Sequence, residues 1–394
     1  MRRRRAAALA VLALAAAGCS SSSTPQHVAA LPVSGPPNVV RIGLADLLWP
    51  LEPERAKTRD QIVVARMLFS TPLRTDVGGK LRPGLCTSWH SAGTLWRLHC
   101  RHAGAIATQL RRTGLFPGAW VRNGHTLTLR SPDPDAPYRL TEPRAAPPGV
   151  PGPFRLISAS PTRIVAERNR VRVELRKLEP FRALSLFRAG RLDEAPVPLG
   201  DIRATKLDPQ LARAVRVRRL LAADAVVFSR SVPREVRSVY DDTADRADYQ
   251  ALVPEFEAPP AEDLHDRGQP SASRAAIALR DAKKRIPSLP KLAVGFSAGS
   301  DPTLAYGTNL LVAAWRDLGL GAHVGGDDAE LVRLAAPYPK LSALAALGRA
   351  NALVPIAWVA DARLVSPRLR GWREDELGSV DYSPVRPRGS SRRR

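Results

Sequence analysis

Short apolar stretches, separated by polar and proline-rich segments, run along the whole chain and predict alternating strands and helices. Continuous or alternating apolar residues predict strands at 39–44, 126–130, 292–296 and 353–359, and a pair of strands within 154–168. Apolar residues at helical spacing predict helices at 60–69, 183–189, 273–285 and 302–318. The alternation is irregular and no internal repeat is present. The pattern therefore favours a mixed α/β protein over a regular doubly wound one.

Two proline-rich segments interrupt this pattern. Residues 132–153 are dense in proline and predict a linker or loop. Residues 241–269 are acidic and rich in proline, which indicates a domain boundary or a mobile loop.

The N-terminus has the order of a secretory signal. Arg2 to Arg5 are followed by an apolar run at 6–16, then by small residues and Cys19. The apolar run is shorter than the roughly 20 residues that a membrane-spanning helix needs. A cysteine directly after small residues resembles a bacterial lipobox. This predicts a signal peptide at 1–18, lipidation of Cys19, a Ser-rich tether at 19–38, and a protein anchored to the outer face of the cell membrane.

The net charge of +23 is of the kind found in proteins that bind nucleic acid. However, arginine outnumbers lysine 52 to 8, and alanine and proline are also abundant, as a GC-rich genome would produce. Several arginines belong to the signal and to the tail at 386–394. For an exported lipoprotein we expect an anionic envelope surface nearby, and no nucleic acid partner.

Cys86 and Cys100 form an even pair in an oxidising compartment and predict a disulfide. Folding residues 86–100 as a hairpin about Gly93 puts these two cysteines opposite each other, His90 opposite Trp96, and Ser88 opposite Leu98. The competing interpretation is a zinc site. Its candidate ligands are Cys86, His90, His99, Cys100 and His102. It is disfavoured because neighbouring strand residues point to opposite faces of the sheet.

Five segments, in order along the chain, resemble family 5 extracellular solute-binding proteins, the peptide- and nickel-type binding components of ABC importers. They are GKLRPGLCTSW at 79–89 with LWRL at 95–98, GPFRL at 152–156 with IVAERN at 164–169, LFRAGRLD at 186–193, AWRDLGL at 314–320, and PIAWVAD at 355–361. The resemblance implies an α/β, two-lobed periplasmic-binding-protein-like fold (type II) with mixed sheets. It also implies a first lobe at 39–235, a second lobe at 236–370, and a return segment with a basic disordered tail at 371–394.

The function that the resemblance implies is solute delivery to an ABC importer permease. The two lobes would close around a peptide-like solute, and the protein would act as a monomer without cofactor or metal. By position, Asp361 would hold the ligand's amino terminus and Trp358 would form a pocket wall. The alternative is that Trp358 ends a core strand and Asp361 caps a turn. Trp49, after the first strand, would face the cleft or pack in the core.

This sequence also departs from the family pattern. It is shorter than usual, the segment that the family carries after the first hairpin is missing, and the second Asp-Pro after Asp361 is replaced by Ala362-Arg363-Leu364. No His pair points to the nickel branch. These departures favour a second hypothesis, a non-transporting envelope scaffold or peptide-sensing lipoprotein on the same fold.

One motif suggests an enzyme instead. Residues 295–299 read G-x-S-x-G after a predicted strand, as in a hydrolase nucleophile elbow centred on Ser297. A triad needs an acid and a histidine further along the chain, and the candidates Asp317 and His323 lie close behind Ser297 instead of on distant loops. We therefore expect no catalytic activity.

Overall fold

The described part of the chain is dominated by a ten-stranded mixed sheet. The structure is a computed structural model that describes residues 36–198, 201–253, 272–297, 302–340 and 353–387. Cys19, the tether and the end of the basic tail lie outside these residues. The strands of the large sheet are β1 (Val39–Leu44), β8 (Arg155–Ala159), β9 (Arg163–Arg168), β10 (Val171–Lys177), β11 (Glu194–Pro196), β12 (Val215–Phe228), β13 (Ala293–Ser297), β14 (Gly321–Val324), β15 (Ala329–Ala335) and β16 (Leu353–Val365).

The remaining strands form three small sheets. They are β2 (Leu73–Thr75) with β3 (Leu81–Pro83); β4 (Cys86–Ala92), β5 (Leu95–Cys100), β6 (Trp120–Arg122) and β7 (Thr126–Arg130); and β17 (Leu369–Arg370) with β18 (Arg386–Pro387). The helices are α1 (Arg59–Leu68), α2 (Ala103–Arg112), α3 (Ala136–Arg139), α4 (Pro180–Arg188), α5 (Ile202–Leu207), α6 (Arg234–Asp242), α7 (Arg246–Leu252), α8 (Ala272–Arg285) and α9 (Pro302–Asp317). Of the helices in the described ranges, none is long and apolar enough to cross a membrane.

The large sheet runs in the order β14-β13-β15-β12-β16-β11-β1-β10-β9-β8. Strand β1 lies parallel to both β10 and β11, and β13 lies parallel to β14 and β15. The other pairs in this sheet are antiparallel. The predicted mixed α/β class is confirmed.

Two long strands, β12 and β16, join the two halves of the sheet. They pair antiparallel in two stretches, with Val215 to Arg219 opposite residues 360–364 and with residues 223–227 opposite 353–358. A register shift separates the stretches, and there the Leu221 N–H donates to the Glu376 carbonyl (2.7 Å). Both strands continue through this point, but their pairing with each other is irregular there. We call this part of the two strands the strand crossover (residues 220–222 and 359–360).

Separate hydrophobic clusters lie on the two sides of the strand crossover. On one side, Phe228, Phe296 and Trp315 belong to a cluster that includes β13 to β15 and the end of β16 nearest Leu353. On the other side, β1, α1 and β10 pack with Val365, Tyr382 and their neighbours from the end of the chain. At the strand crossover itself, Leu220, Ala222 and Val359 form one small cluster, and Leu221 and Ala360 belong to a second small cluster.

The cysteine hairpin is formed by β4 and β5, and Cys86 is bonded to Cys100 as predicted. The predicted register inside the hairpin is wrong by one residue. His90 lies opposite Arg97 instead of Trp96, and Ser88 lies opposite His99 instead of Leu98. The turn uses Gly93 together with Thr94, and a bulge between residues 86 and 88 restores the cysteine pairing. The disulfide uses both thiolates that the zinc alternative required.

We expect the Cys86→Ser, Cys100→Ser double variant to lose about 3 kcal/mol of unfolding free energy, because the bond closes a loop of about 15 residues in the unfolded chain. Chemical denaturation of the oxidised protein and of the variant measures the difference. Cys19→Ser is the matched control and should leave the midpoint unchanged. Alkylation of both Cys86 and Cys100 in the native protein without reductant would contradict the bond.

Most predicted elements match the structure closely, and two are revised. The strand predicted at 353–359 continues to Val365, and the segment 132–153 contains a helix and buried residues such as Leu140 and Ala145. The start of the acidic segment at 241–269 is helical, and most of it lies outside the described residues. The boundaries predicted for the two lobes stay predictions.

Candidate functional site

Asp361 lies on β16, next to the strand crossover and opposite Arg218 of β12. The first residue of α1, Arg59, donates to the Asp361 carboxylate and to the Gly378 carbonyl. Thr58 and Gln61 form a capping box that fixes the start of α1 and so the position of Arg59. The side chains of Arg59 and Asp361 are 19% and 16% exposed, so the ion pair reaches the surface.

Arg363, two residues along the same strand, is the buried centre of the site, with a side chain 1% exposed. Its guanidinium donates to Asp60 Oδ1 (2.8 Å) and Glu194 Oε1 (3.2 Å). Its Nε lies 3.5 Å from Asp361 Oδ2. One cation therefore serves three carboxylates, which come from α1, β11 and β16.

The second oxygens of two of these carboxylates are also satisfied. Glu194 Oε2 accepts from Trp372 Nε1 (2.7 Å) and from the Tyr382 hydroxyl (2.8 Å). Asp60 Oδ2 accepts from the backbone N–H of Ala45 (2.7 Å). Burial raises the pKa of Glu194, and Arg363 opposes that rise. These contacts fix the end of β1 and the return segment to β16.

Glu374 is a fourth carboxyl group, 3% exposed, and its Oε1 lies 3.3 Å from Arg59 Nη2. Burial, and then the neighbouring Asp361, raise the pKa of Glu374 to about 9. Burial tends to raise the pKa of Asp361, but the guanidinium groups of Arg59 and Arg363 lower it. The pKa of Asp361 is therefore below its usual value. Glu374 is therefore protonated at neutral pH, whereas Asp361 is ionised and can accept a hydrogen bond from it.

We call this set the buried charge network: Arg59, Asp60, Glu194, Asp361, Arg363 and Glu374. It contains two guanidinium groups and four carboxyl groups. Arg218, opposite Asp361 on β12, adds a third guanidinium beside this network and donates to the Glu374 carbonyl. The network reaches the surface at the Arg59–Asp361 pair.

Trp358 lies on the opposite side of the strand crossover and is 1% exposed. It belongs to a small cluster with Leu221, Ala223, Ala336, Tyr338 and Ala360. The guanidinium of Arg219 lies 4.9 Å from the centre of its ring. Trp358 thus packs in the sheet beside the strand crossover, with an arginine from the same chain against its ring.

The other predicted residues lie apart from this network. Trp49 is 48% exposed and is joined to Pro50 by a cis peptide bond, so about half of its surface is outside the core. Ser297 ends β13, and residues 298–300 lie outside the described chain. The first glycine of the G-x-S-x-G motif has a packing reason, because a Cβ on Gly295 would lie 2.5 Å from the Gly325 carbonyl oxygen.

The sequence pattern alone did not single out Arg59, Arg363 and Glu374 as members of the site. One signal was available, namely that Asp361 and Arg363 interrupt the apolar run of β16 at positions two apart, on one face of the strand. Charged residues in a buried strand need partners. The partners themselves, Asp60 and Glu194, are far away in sequence, and no local pattern links them to Arg363.

The fold of this chain is that of two-lobed solute-binding proteins. The structure of the Escherichia coli murein tripeptide binding protein MppA superposes with a TM-score of 0.71 at 15% identity, covering 90% of this chain and 99% of that one. Haemophilus influenzae OppA, in complex with the peptide RPPGFSPFR, gives a TM-score of 0.71 at 15% identity, with 89% and 99% covered. NikA from Brucella suis, in complex with Fe(III)-EDTA, gives 0.69 at 12% identity, with 89% and 99% covered.

Comparison with known protein families gives no match, and comparison with curated protein sequences also gives none. The similarity is therefore one of fold at low identity. It confirms the type of fold that the five sequence segments imply.

Proposed function

We propose that this chain is a lipid-anchored, extracytoplasmic solute-binding protein that delivers a peptide-like solute to an ABC importer permease. The observation that carries the proposal is the fold shared with MppA and OppA over about nine-tenths of the chain. The lipid on Cys19 would hold the protein near the permease and raise its local concentration there. We propose that it acts as a monomer and carries out no catalysis.

We propose that the lobes divide at the strand crossover, so that residues 223–358 form the second lobe instead of the residues 236–370 that the sequence resemblance implies. Large hydrophobic clusters lie on both sides of the strand crossover, while the residues of the crossover itself belong to two small clusters. Bending at residues 220–222 and 359–360 would therefore disturb less packing than bending elsewhere in β12 and β16. A ligand that makes better contacts with the closed form would shift the protein toward it.

Asp361 is the proposed anchor for the ligand's amino terminus. Its carboxylate is ionised, lies beside the strand crossover and is partly exposed. Arg59 already neutralises it in this structure. An incoming ammonium group would therefore share Asp361 with Arg59 or displace it. Trp358 and Trp49 are the proposed aromatic contacts to the solute.

We expect pooled di- to octapeptides to raise the unfolding midpoint of the full chain. Saturation at a hundred times Kd should add about 2.7 kcal/mol of stability. N-acetylated versions of the same peptides should give a much smaller shift, because they lack the positive charge that Asp361 would bind. Asp361→Asn should abolish the difference between free and acetylated peptides.

The control is Asp208→Asn. Asp208 also pairs with an arginine, Arg188 (2.6 Å), but this pair is more exposed and does not belong to the buried charge network. This variant should keep the full response to peptides. An unchanged response in Asp361→Asn, or equal shifts from free and acetylated peptides, would contradict the role of Asp361.

The second candidate is an envelope scaffold or peptide-sensing lipoprotein that does not transport. Two contacts favour it, since Arg59 covers Asp361 and Arg219 covers Trp358 with groups from the same chain. The scaffold hypothesis predicts that no peptide pool shifts the midpoint. The sensing hypothesis predicts a peptide shift without peptide uptake by cells that carry the protein.

A further inference from the structure

A cavity of about 550 Å³ lies on the side of the strand crossover that includes α1 and the return segment. It is enclosed by the end of α1, the β2–β3 hairpin, the segment 152–154 and the return segment 373–384. None of its lining residues comes from 223–358, the part of the chain that lies between the two segments of the strand crossover. Its volume suits a small-molecule ligand. Because the cavity does not depend on lobe closure, a ligand bound there would be distinct from the solute of the proposed function.

Arginine dominates the charged lining of this cavity. The positively charged residues of the lining are Arg66, Arg74, Arg82, Arg101, Arg168 and Arg373. The negatively charged ones are Asp76, Asp375 and Asp381. The cavity therefore has an excess of three positive charges.

Two of the aspartates form ion pairs with two of the arginines. Asp76 Oδ2 accepts from Arg82 (2.7 Å), and Asp375 Oδ2 accepts from Arg66 (2.7 Å). These pairs hold the β2–β3 hairpin in shape and fix the return segment to α1. They account for Asp76 and Asp375 but leave most of the arginines of the cavity without a carboxylate.

Four guanidinium groups of the lining have no acidic partner in the described chain: Arg74, Arg101, Arg168 and Arg373. Arg74 Nε donates to the Pro83 carbonyl (3.1 Å), which carries no formal charge. Among the described lining residues, one further carboxylate, Asp381, is available to offset these four positive charges. Asp381 accepts a hydrogen bond from the Ser383 N–H (2.8 Å). Four like charges around one cavity repel each other, and an anion would relieve that repulsion.

We propose that this cavity binds a small molecule through a phosphate group. Guanidinium forks match phosphate oxygens in pairs, and a phosphate offers three strong acceptors and up to two negative charges in one group. A carboxylate offers fewer acceptors and one charge. Four arginines without a carboxylate therefore fit phosphate better. The ligand is a soluble phosphate ester or the headgroup of a phospholipid.

Calorimetric titration of the full chain with pyrophosphate tests the soluble form of the ligand, and sedimentation with phosphatidylglycerol vesicles tests the lipid form. We expect the Arg168→Gln, Arg373→Gln double variant to weaken binding by at least about tenfold, because it loses two charge-assisted contacts.

The matched control is Arg122→Gln, Arg130→Gln, which removes the same charge from exposed positions on β6 and β7. It should bind like the wild type. Binding of either probe that is lost in the cavity variants and kept in the control supports the proposal and identifies the source of the phosphate. No binding of either probe, or equal losses in the cavity and control variants, overturns it.

Discussion

Replacing Arg363 with methionine is expected to lower the free energy of unfolding by about 3–5 kcal/mol, the cost typical of breaking a buried ion pair from one side. The side chain is 1% exposed and is the shared cation of Asp60, Glu194 and Asp361. Methionine fills a similar volume but leaves these carboxylates without their central partner. Chemical denaturation at neutral pH measures the loss.

The pH dependence of this loss distinguishes the contribution of the Arg363 charge to stability from the contribution of its packing. The carboxylates that lose Arg363 can take up protons in acid, so the destabilisation should be smaller at pH 5 than at pH 8. Arg188→Met is the control, because its exposed pair with Asp208 should contribute less than about 1 kcal/mol. A stability of Arg363→Met within about 1 kcal/mol of the wild type would show that the network does not hold β1, β11 and β16 together.

Replacing Glu374 with glutamine is expected to change how stability depends on pH. The pKa of Glu374 is about 9 in the folded protein, against an ordinary value of 4.5. Between these values the folded state holds a proton that the unfolded state has released. Stability from this group is therefore complete below pH 4.5 and is lost as the pH rises toward 9. The slope is about 1.4 kcal/mol per pH unit.

Glutamine cannot ionise, so the variant lacks this slope. Between pH 6 and pH 8 the wild type should lose about 3 kcal/mol relative to Glu374→Gln, while other titrating groups contribute equally to both. The measurement is a series of denaturation curves across this range. Glu376→Gln, at a partly exposed position two residues further on, is the control and should keep the wild-type slope. Parallel curves for the wild type and Glu374→Gln would contradict a protonated Glu374.

Elements with a strong local pattern could be predicted from the sequence. Strands β1 and β7 match their predicted bounds, and α9 begins where predicted, because apolar periodicity and nearby glycine or proline mark their ends. The 14-residue strand β12 was missed, since its first half alternates arginine with valine and its second half is apolar except for Asp224. Those two patterns suggest separate elements. Only pairing with β16 makes them one strand.

The candidate site was predictable only in part. Asp361 and Trp358 could be singled out because they belong to a recognisable segment. Their surroundings depend on residues far away in sequence, since Arg59 precedes Asp361 by 302 positions. The hairpin register shows the same limit on a smaller scale. A choice between a turn at Gly93 alone and a turn at Gly93-Thr94 shifts every facing pair by one residue.

The return segment has a consequence for how the protein is made. The cluster that contains Ile42, Met67 and Phe154 is completed by Val365, Tyr382 and Val385, from the end of the described chain. While the chain is still being synthesised, these later residues are absent, and the first strand and helix can pack only with their earlier partners. Contacts between distant parts of a sequence carry a high entropic cost of loop closure. The packing of the first strand and helix is therefore completed only after residues 365–385 have been made.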